Sequence, residues 1–76
     1  TLLVTGPPVW SCPRPLPLAC SVQLRAHGAV HACRVTSLDQ GWELRLDTPA
    51  RGVAPGQTAT LYDGDLVLGS ATLLAR

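Results

Sequence analysis

The chain has 76 residues, a net charge of +1 and 46% apolar residues, with Trp10, Trp42 and Tyr62 as its only large aromatics. That length holds one small domain, which buries only ~60% of the surface its unfolded chain exposes. So low a charge argues against a strong electrostatic nucleic-acid binder, and no apolar run reaches the ~20 residues of a membrane span, so a soluble, cytoplasmic chain without a membrane partner is expected. Phe, Ile and Met are absent, and the core must come from Leu, Val and Ala around the two tryptophans. Without Met the sequence reads as a segment of something longer. Arg carries all six positive charges, and the absence of Lys and Asn reads as GC-rich coding bias before it reads as function.

Thr1 to Thr5 has strand composition and stops at Gly6-Pro7-Pro8. The segment up to Pro17 carries three more prolines, so it predicts an extended connector that crosses the domain surface with Trp10 plugged into it. Residues 1–19 form this strand and connector, and 20–76 form the body of the domain. Cys20 to Ala26 alternates, with Cys20, Val22, Leu24 and Ala26 on one face and Ser21, Gln23 and Arg25 on the other. After a turn at His27-Gly28, a second strand over 29–36 could point inward either Val30 and Ala32 or His31, Cys33 and Val35, and the second set, with Arg34 outward, is preferred.

Leu38-Asp39-Gln40-Gly41 reads as a turn, and Trp42-Glu43-Leu44-Arg45-Leu46-Asp47 alternates most cleanly of all, with Trp42, Leu44 and Leu46 inward. Pro55-Gly56 predicts a type II turn, because Pro sets its first central residue and Gly accepts the positive φ of its second. Strands over 58–62 and 66–74 meet at Asp63-Gly64-Asp65, a composition suited to a tight hairpin. No segment has a helical period. The fold expected is all-β, a small closed or partly open antiparallel barrel of about six short strands, similar to translation-factor barrels.

Chemistry is harder to find. The five carboxylates fall in turns or on outward strand positions, Asp63-Gly64-Asp65 lacks the further oxygen ligands of a calcium loop, and no serine has the Gly-x-Ser-x-Gly context of a hydrolase. His27 and His31 have no third ligand, so no metal site is assigned. Cys12, Cys20 and Cys33 lack zinc spacing; they read as reduced thiols, with Cys20 and Cys33 packed in strands as small hydrophobes. One functional hypothesis rests on Arg25, His27, Arg34, Arg45 and Arg51. Arg25, Arg34 and Arg45 projecting from neighbouring strands would make a cationic strip for RNA phosphates, and cross-strand pairing with Glu43 and Asp47 is the alternative.

The motif Pro49-Ala50-Arg51-Gly52-Val53-Ala54-Pro55-Gly56-Gln57, followed by Leu61-Tyr62-Asp63-Gly64-Asp65 and Val67-Leu68-Gly69, resembles the C-terminal β-barrel of the tRNA-specific 2-thiouridylases (tRNA-uridine 2-sulfurtransferases). Gly52 stands where that family usually has Ala, and Ser70-Ala71 replaces further glycines. Upstream, Val22-Gln23-Leu24-Arg25-Ala26-His27-Gly28 is similar to a basic strand of the family. The resemblance implies a parent enzyme that adenylates the wobble uridine of tRNA with ATP and then inserts sulfur from a persulfide. The ATP loop and catalytic cysteines of such enzymes have no match here, so the resemblance implies no catalytic or cofactor-binding residue in this segment. It implies instead a non-catalytic accessory domain that helps position tRNA, weakly, with the catalytic and central domains of its own chain as partners. Arg25, His27, Arg34 and Arg51 are the candidate tRNA contacts. A structural or protein-docking barrel without RNA contact is the alternative.

Overall fold

In the computed structural model, which describes residues 1–24 and 28–75, seven strands build one antiparallel sheet. They are β1 (Leu2–Val4), β2 (Val9–Trp10), β3 (Leu18–Gln23), β4 (Val30–Leu38), β5 (Gly41–Leu46), β6 (Thr58–Asp63) and β7 (Leu66–Thr72). Their order across the sheet is β1-β5-β4-β3-β6-β7-β2. The all-β expectation holds, with seven strands in place of about six. The additional one is the two-residue β2. It forms inside the Pro-rich connector because β7 offers it an edge, and an edge is where a proline-flanked strand can sit.

Both edges come from the first ten residues. β1 pairs with β5, β2 pairs with β7, and each is too short to template pairing with another chain. Between them Thr5 makes an isolated bridge to Leu73, flanked by hydrogen bonds from Gly6 N to Thr72 O and from Leu74 N to Val4 O, each 2.9 Å. The continuous ladders leave the sheet open, and this bridge joins the chain just after β1 to the chain just after β7.

Thr5 is buried, and it is satisfied on every side. Its Oγ1 donates to Gly6 O at 2.8 Å and accepts from Trp42 N at 3.0 Å, while its own N donates to Trp42 O at 2.9 Å. Gly41 lies beside it with no room for a side chain, because a Cβ there would overlap the Thr5 carbonyl oxygen. On β7, Gly69 admits β2 in the same way, since a Cβ would stand 2.7 Å from Val9 O. Leu61 faces Gly69 and Tyr62 faces Val67, so Leu68 is the extra residue of a bulge.

The inward faces follow the alternation. Val22 and Leu24, Cys33 and Val35, and Trp42, Leu44 and Leu46 are buried with Ala59, Leu61, Leu68, Ala71 and Leu73. Trp10 packs on this cluster from the connector, edge-on to Trp42 at 5.2 Å between ring centroids and 71° between planes. Such a pair adds about 1 kcal/mol beyond area burial. Gly56 has φ 92°, as the Pro55-Gly56 turn requires.

The turn between β4 and β5 is tighter than the sequence suggests. β4 runs on to Leu38, which faces Gly41 across a two-residue loop, and Asp39 takes a φ of 53° that its short polar side chain tolerates. The β6–β7 hairpin has the same form, with Asp63 facing Leu66 and Gly64 at φ 60°.

Candidate nucleic-acid interface

The short β4–β5 loop decides which outward side chains meet. With Leu38 opposite Gly41, counting back places Thr36 against Glu43 and Arg34 against Arg45. Both arginines are exposed, and their strand positions alternate with the buried Cys33, Val35, Leu44 and Leu46. For Arg34 and Arg45, the pairing with Glu43 and Asp47 weighed from sequence does not form; Arg25 lies outside the described residues. Glu43 and Asp47 sit two residues either side of Arg45, and neither makes an ion pair with Arg34 or Arg45 among the described residues. Two like charges directly opposite repel, a cost that an anion laid between them removes.

An ion pair forms elsewhere among the described residues. Arg14 Nη1 lies 3.1 Å from Asp63 Oδ2, joining the Pro-rich connector to the β6–β7 hairpin. Hydrogen bonding to Cys12 and then to Asp63 raises the Arg14 pKa above its usual value. Arg14 is therefore committed to a protein partner.

Arg51 lies on the connection from β5 to β6, exposed, at the rim of a groove of about 370 Å³. Leu24, Ala50, Val53 and His31 line the same groove. His31 is half-buried, and its Nδ1 is 3.3 Å from Thr48 Oγ1. The structure thus brings His31, which sequence reasoning assigned only to the inner face, together with Arg51. Arg34 points to the outer face three residues further along β4, ~10 Å away at the rise of a strand. Arg25 and His27 lie outside the described residues. In sequence Arg25 follows Leu24, a lining residue of the Arg51 groove.

Among the described residues no group of three His, Cys, Asp or Glu side chains could hold a metal ion. The His31–Thr48 contact has no carboxylate to orient the ring, so it lacks the third member of a nucleophile-activating set. Nor does any turn in the sequence combine the run of glycines and the Lys or Ser/Thr of a phosphate-cradling P-loop. What the arrangement offers is an exposed arginine pair on the outer face, flanked by Glu43 and Asp47, and a groove with one arginine on its rim.

The sequence over residues 1–73 matches the family model of the aminomethyltransferase beta-barrel domain. The chain belongs to this family. Among curated relatives it is 53% identical over 70 residues to the tRNA-specific 2-thiouridylase MnmA of Thermobifida fusca, covering 87% of this chain and 19% of the relative. It is 54% identical over 63 residues to the MnmA of Mycolicibacterium vanbaalenii, covering 78% and 18%. With the MnmA of Saccharopolyspora erythraea the identity is 47% over 74 residues, covering 90% and 20%. The chain therefore spans about a fifth of the length of these relatives, and the part it matches is their C-terminal β domain. The family seen in the Pro-Gly-Gln and Leu-Gly motifs is the family these matches show.

Proposed function

We propose that the domain is a non-catalytic accessory module of a tRNA 2-thiolating enzyme, and that it steadies tRNA through the arginine pair on its outer face. The observation that carries this reading is the in-register pair Arg34 and Arg45, exposed and without a carboxylate partner, in a domain whose relatives are tRNA-specific 2-thiouridylases. Arg25, His27 and Arg51 are the further candidate contacts in this reading, Arg51 at the groove lined by Leu24 and His31. In this reading the sheet wraps into a partly open barrel with the Thr5–Leu73 bridge as its seam. Adenylation with ATP and sulfur insertion from a persulfide take place on other domains of the parent chain, in the cytoplasm.

The second reading, a docking barrel, is favoured by exposed Val9, Leu66 and Val67 on β2 and β7, far around the sheet from Arg34. tRNA titration of the full-length protein separates the two. Arg34→Ala and Arg45→Ala together should weaken tRNA binding and lower the slope of log K against log salt by about 1 for each phosphate no longer neutralised. The triple variant at Arg25, Arg34 and Arg51 should do the same, whereas Arg14→Ala should not, since Arg14 is held by Asp63. Unchanged affinity and slope in both multiple variants would exclude RNA binding by this face and leave the docking barrel.

A further inference from the structure

Cys20 on β3 and Cys33 on β4 are directly opposed in register, and their sulfur atoms stand 4.0 Å apart. Both are free thiols. The two differ in their surroundings. Cys33 is 4% exposed inside the core, while Cys20 is half-buried at the edge of that cluster, where a small reagent can reach it. Disulfide bonding needs ~2.05 Å between sulfurs and Cβ atoms ~3.8 Å apart. Adjacent antiparallel strands place directly opposed Cβ atoms ~4.5–5.5 Å apart, so side-chain rotation with a small strand adjustment closes the remaining gap.

The geometry points to Cys20 and Cys33 as an oxidisable dithiol, a site of reversible disulfide formation by a peroxide, with Cys20 as the sulfur oxidised first and Cys33 as the one that resolves it. In the first step the Cys20 thiolate attacks one peroxide oxygen. The O–O bond breaks, Cys20 becomes a sulfenic acid, and the other oxygen leaves as water after taking a proton. In the second step Cys33 sulfur attacks Cys20 sulfur, the S–O bond breaks, and the hydroxide leaves as water with the Cys33 proton. The two thiols together lose two electrons and two protons, and one peroxide is reduced to two waters. A thiol reductant reverses the bond by exchange.

Electrostatics favour that order of events. A hydrogen bond from Cys33 lowers the Cys20 pKa, and the same interaction, with burial, raises that of Cys33. Cys20 thus carries the greater thiolate share, and Cys33 keeps the proton that the departing hydroxide needs. A disulfide here would enclose residues 21–32, which include the tRNA-contact candidates Arg25 and His27.

The test uses the full-length protein, reduced and then exposed to hydrogen peroxide, blocked with N-ethylmaleimide and digested with trypsin. Trypsin separates the two cysteines after Arg25 and leaves Cys33 in the peptide 26–34, while the Arg14-Pro15 bond resists cleavage and keeps Cys12 with Cys20. The expected product is the 26–34 peptide linked to the peptide ending at Arg25, two hydrogens lighter than its parts, with fragment ions placing the bond on Cys20. Cys12 stays labelled, and dithiothreitol restores all three labels. In Cys33→Ala the sulfenic acid on Cys20 should persist and be trapped by dimedone several-fold more than in the parent. A bond from Cys33 to Cys12, a Cys20 that passes to sulfinic acid without crosslinking, or equal dimedone trapping in the two proteins would each overturn the proposal. So would Cys20 and Cys33 both remaining labelled at peroxide doses that oxidise Cys12.

Discussion

Gly41→Ala tests the seam where β1 leaves β5 and meets the end of β7. A Cβ at residue 41 would overlap Thr5 O and lie 2.7 Å from Gly6 O and 2.8 Å from the Thr5 carbonyl carbon, where ordinary contact begins at 3.4 Å. All three neighbours are backbone atoms, so no rotamer change relieves the overlap. The chain at Thr5 and Gly6 must move by at least 0.7 Å, more at the carbonyl oxygen. That movement strains the two Thr5–Trp42 hydrogen bonds, the Gly6–Thr72 bond and the Leu73 bridge. Overpacking costs about 1–3 kcal/mol and a buried polar group left without its partner about 1–3 kcal/mol more, so a loss of roughly 2–6 kcal/mol is expected. At an m-value of about 1–1.5 kcal/mol/M for a small chain in urea, the unfolding midpoint should fall by roughly 1.3–6 M or the folded baseline should vanish. Trp10 and Trp42 report the transition by fluorescence, since unfolding separates the two edge-on rings. Gly6→Ala is the control, because its Cβ would find only a flexible Leu74 methyl at 3.8 Å and Thr72 O at 4.0 Å. A midpoint for Gly41→Ala within about 0.5 M of the parent would refute the account of the seam.

Two other outcomes follow from the thiol pair. The hydrogen bond from Cys33 makes Cys20 more acidic than an ordinary thiol, so the iodoacetamide rate at Cys20 should reach half its maximum below the usual thiol pKa. Cys33→Ala should move that midpoint upward; an unmoved midpoint means Cys33 does not set it. The two thiols pull stability in opposite directions as pH rises: the lowered Cys20 pKa adds stability above its folded value up to the unfolded one, and the raised Cys33 pKa removes stability above the unfolded value. Oxidation to the disulfide should stabilise the chain by about 3 kcal/mol, as expected for a closed loop of this length, and dithiothreitol should abolish the gain. A melting temperature lower in the oxidised form would show that the strands must distort to close the bond.

Much of the fold was legible because alternation survives in the strands that face one core. Trp42, Leu44 and Leu46 announce β5, and the choice of Cys33 and Val35 as the inner face of β4 is the one the core makes. Strand ends were less so. Leu38 has turn neighbours in sequence yet belongs to β4, because Asp39 accepts a left-handed φ and allows a two-residue loop. β2 is two residues between prolines and carries no strand pattern of its own; it exists because β7, far along the chain, supplies its partners.

The candidate site was legible as residue types but not as a constellation. Arg34 and Arg45 were visible as outward positions. Which residue faced which depended on the β4–β5 loop, and a register shifted by two residues would have set Arg34 against Glu43 and made the ordinary ion pair. The approach of Cys20 to Cys33 depended on the β3–β4 register, which the His27-Gly28 turn signal did not fix. His31 reached the Arg51 groove through a connection of irregular backbone, for which alternation has nothing to say.

The placement of both sheet edges in the first ten residues has a consequence for synthesis. Residues 2–4 have no partner until β5 has been made, and Val9 waits for Ser70, about 60 residues and, at 5–20 residues per second, some 3–12 seconds of translation later. The β3–β4–β5 hairpins can form on the ribosome while the opening segment is still unpaired. The last strand of the domain to leave the exit tunnel therefore sets the moment at which its second, β2, finds its place.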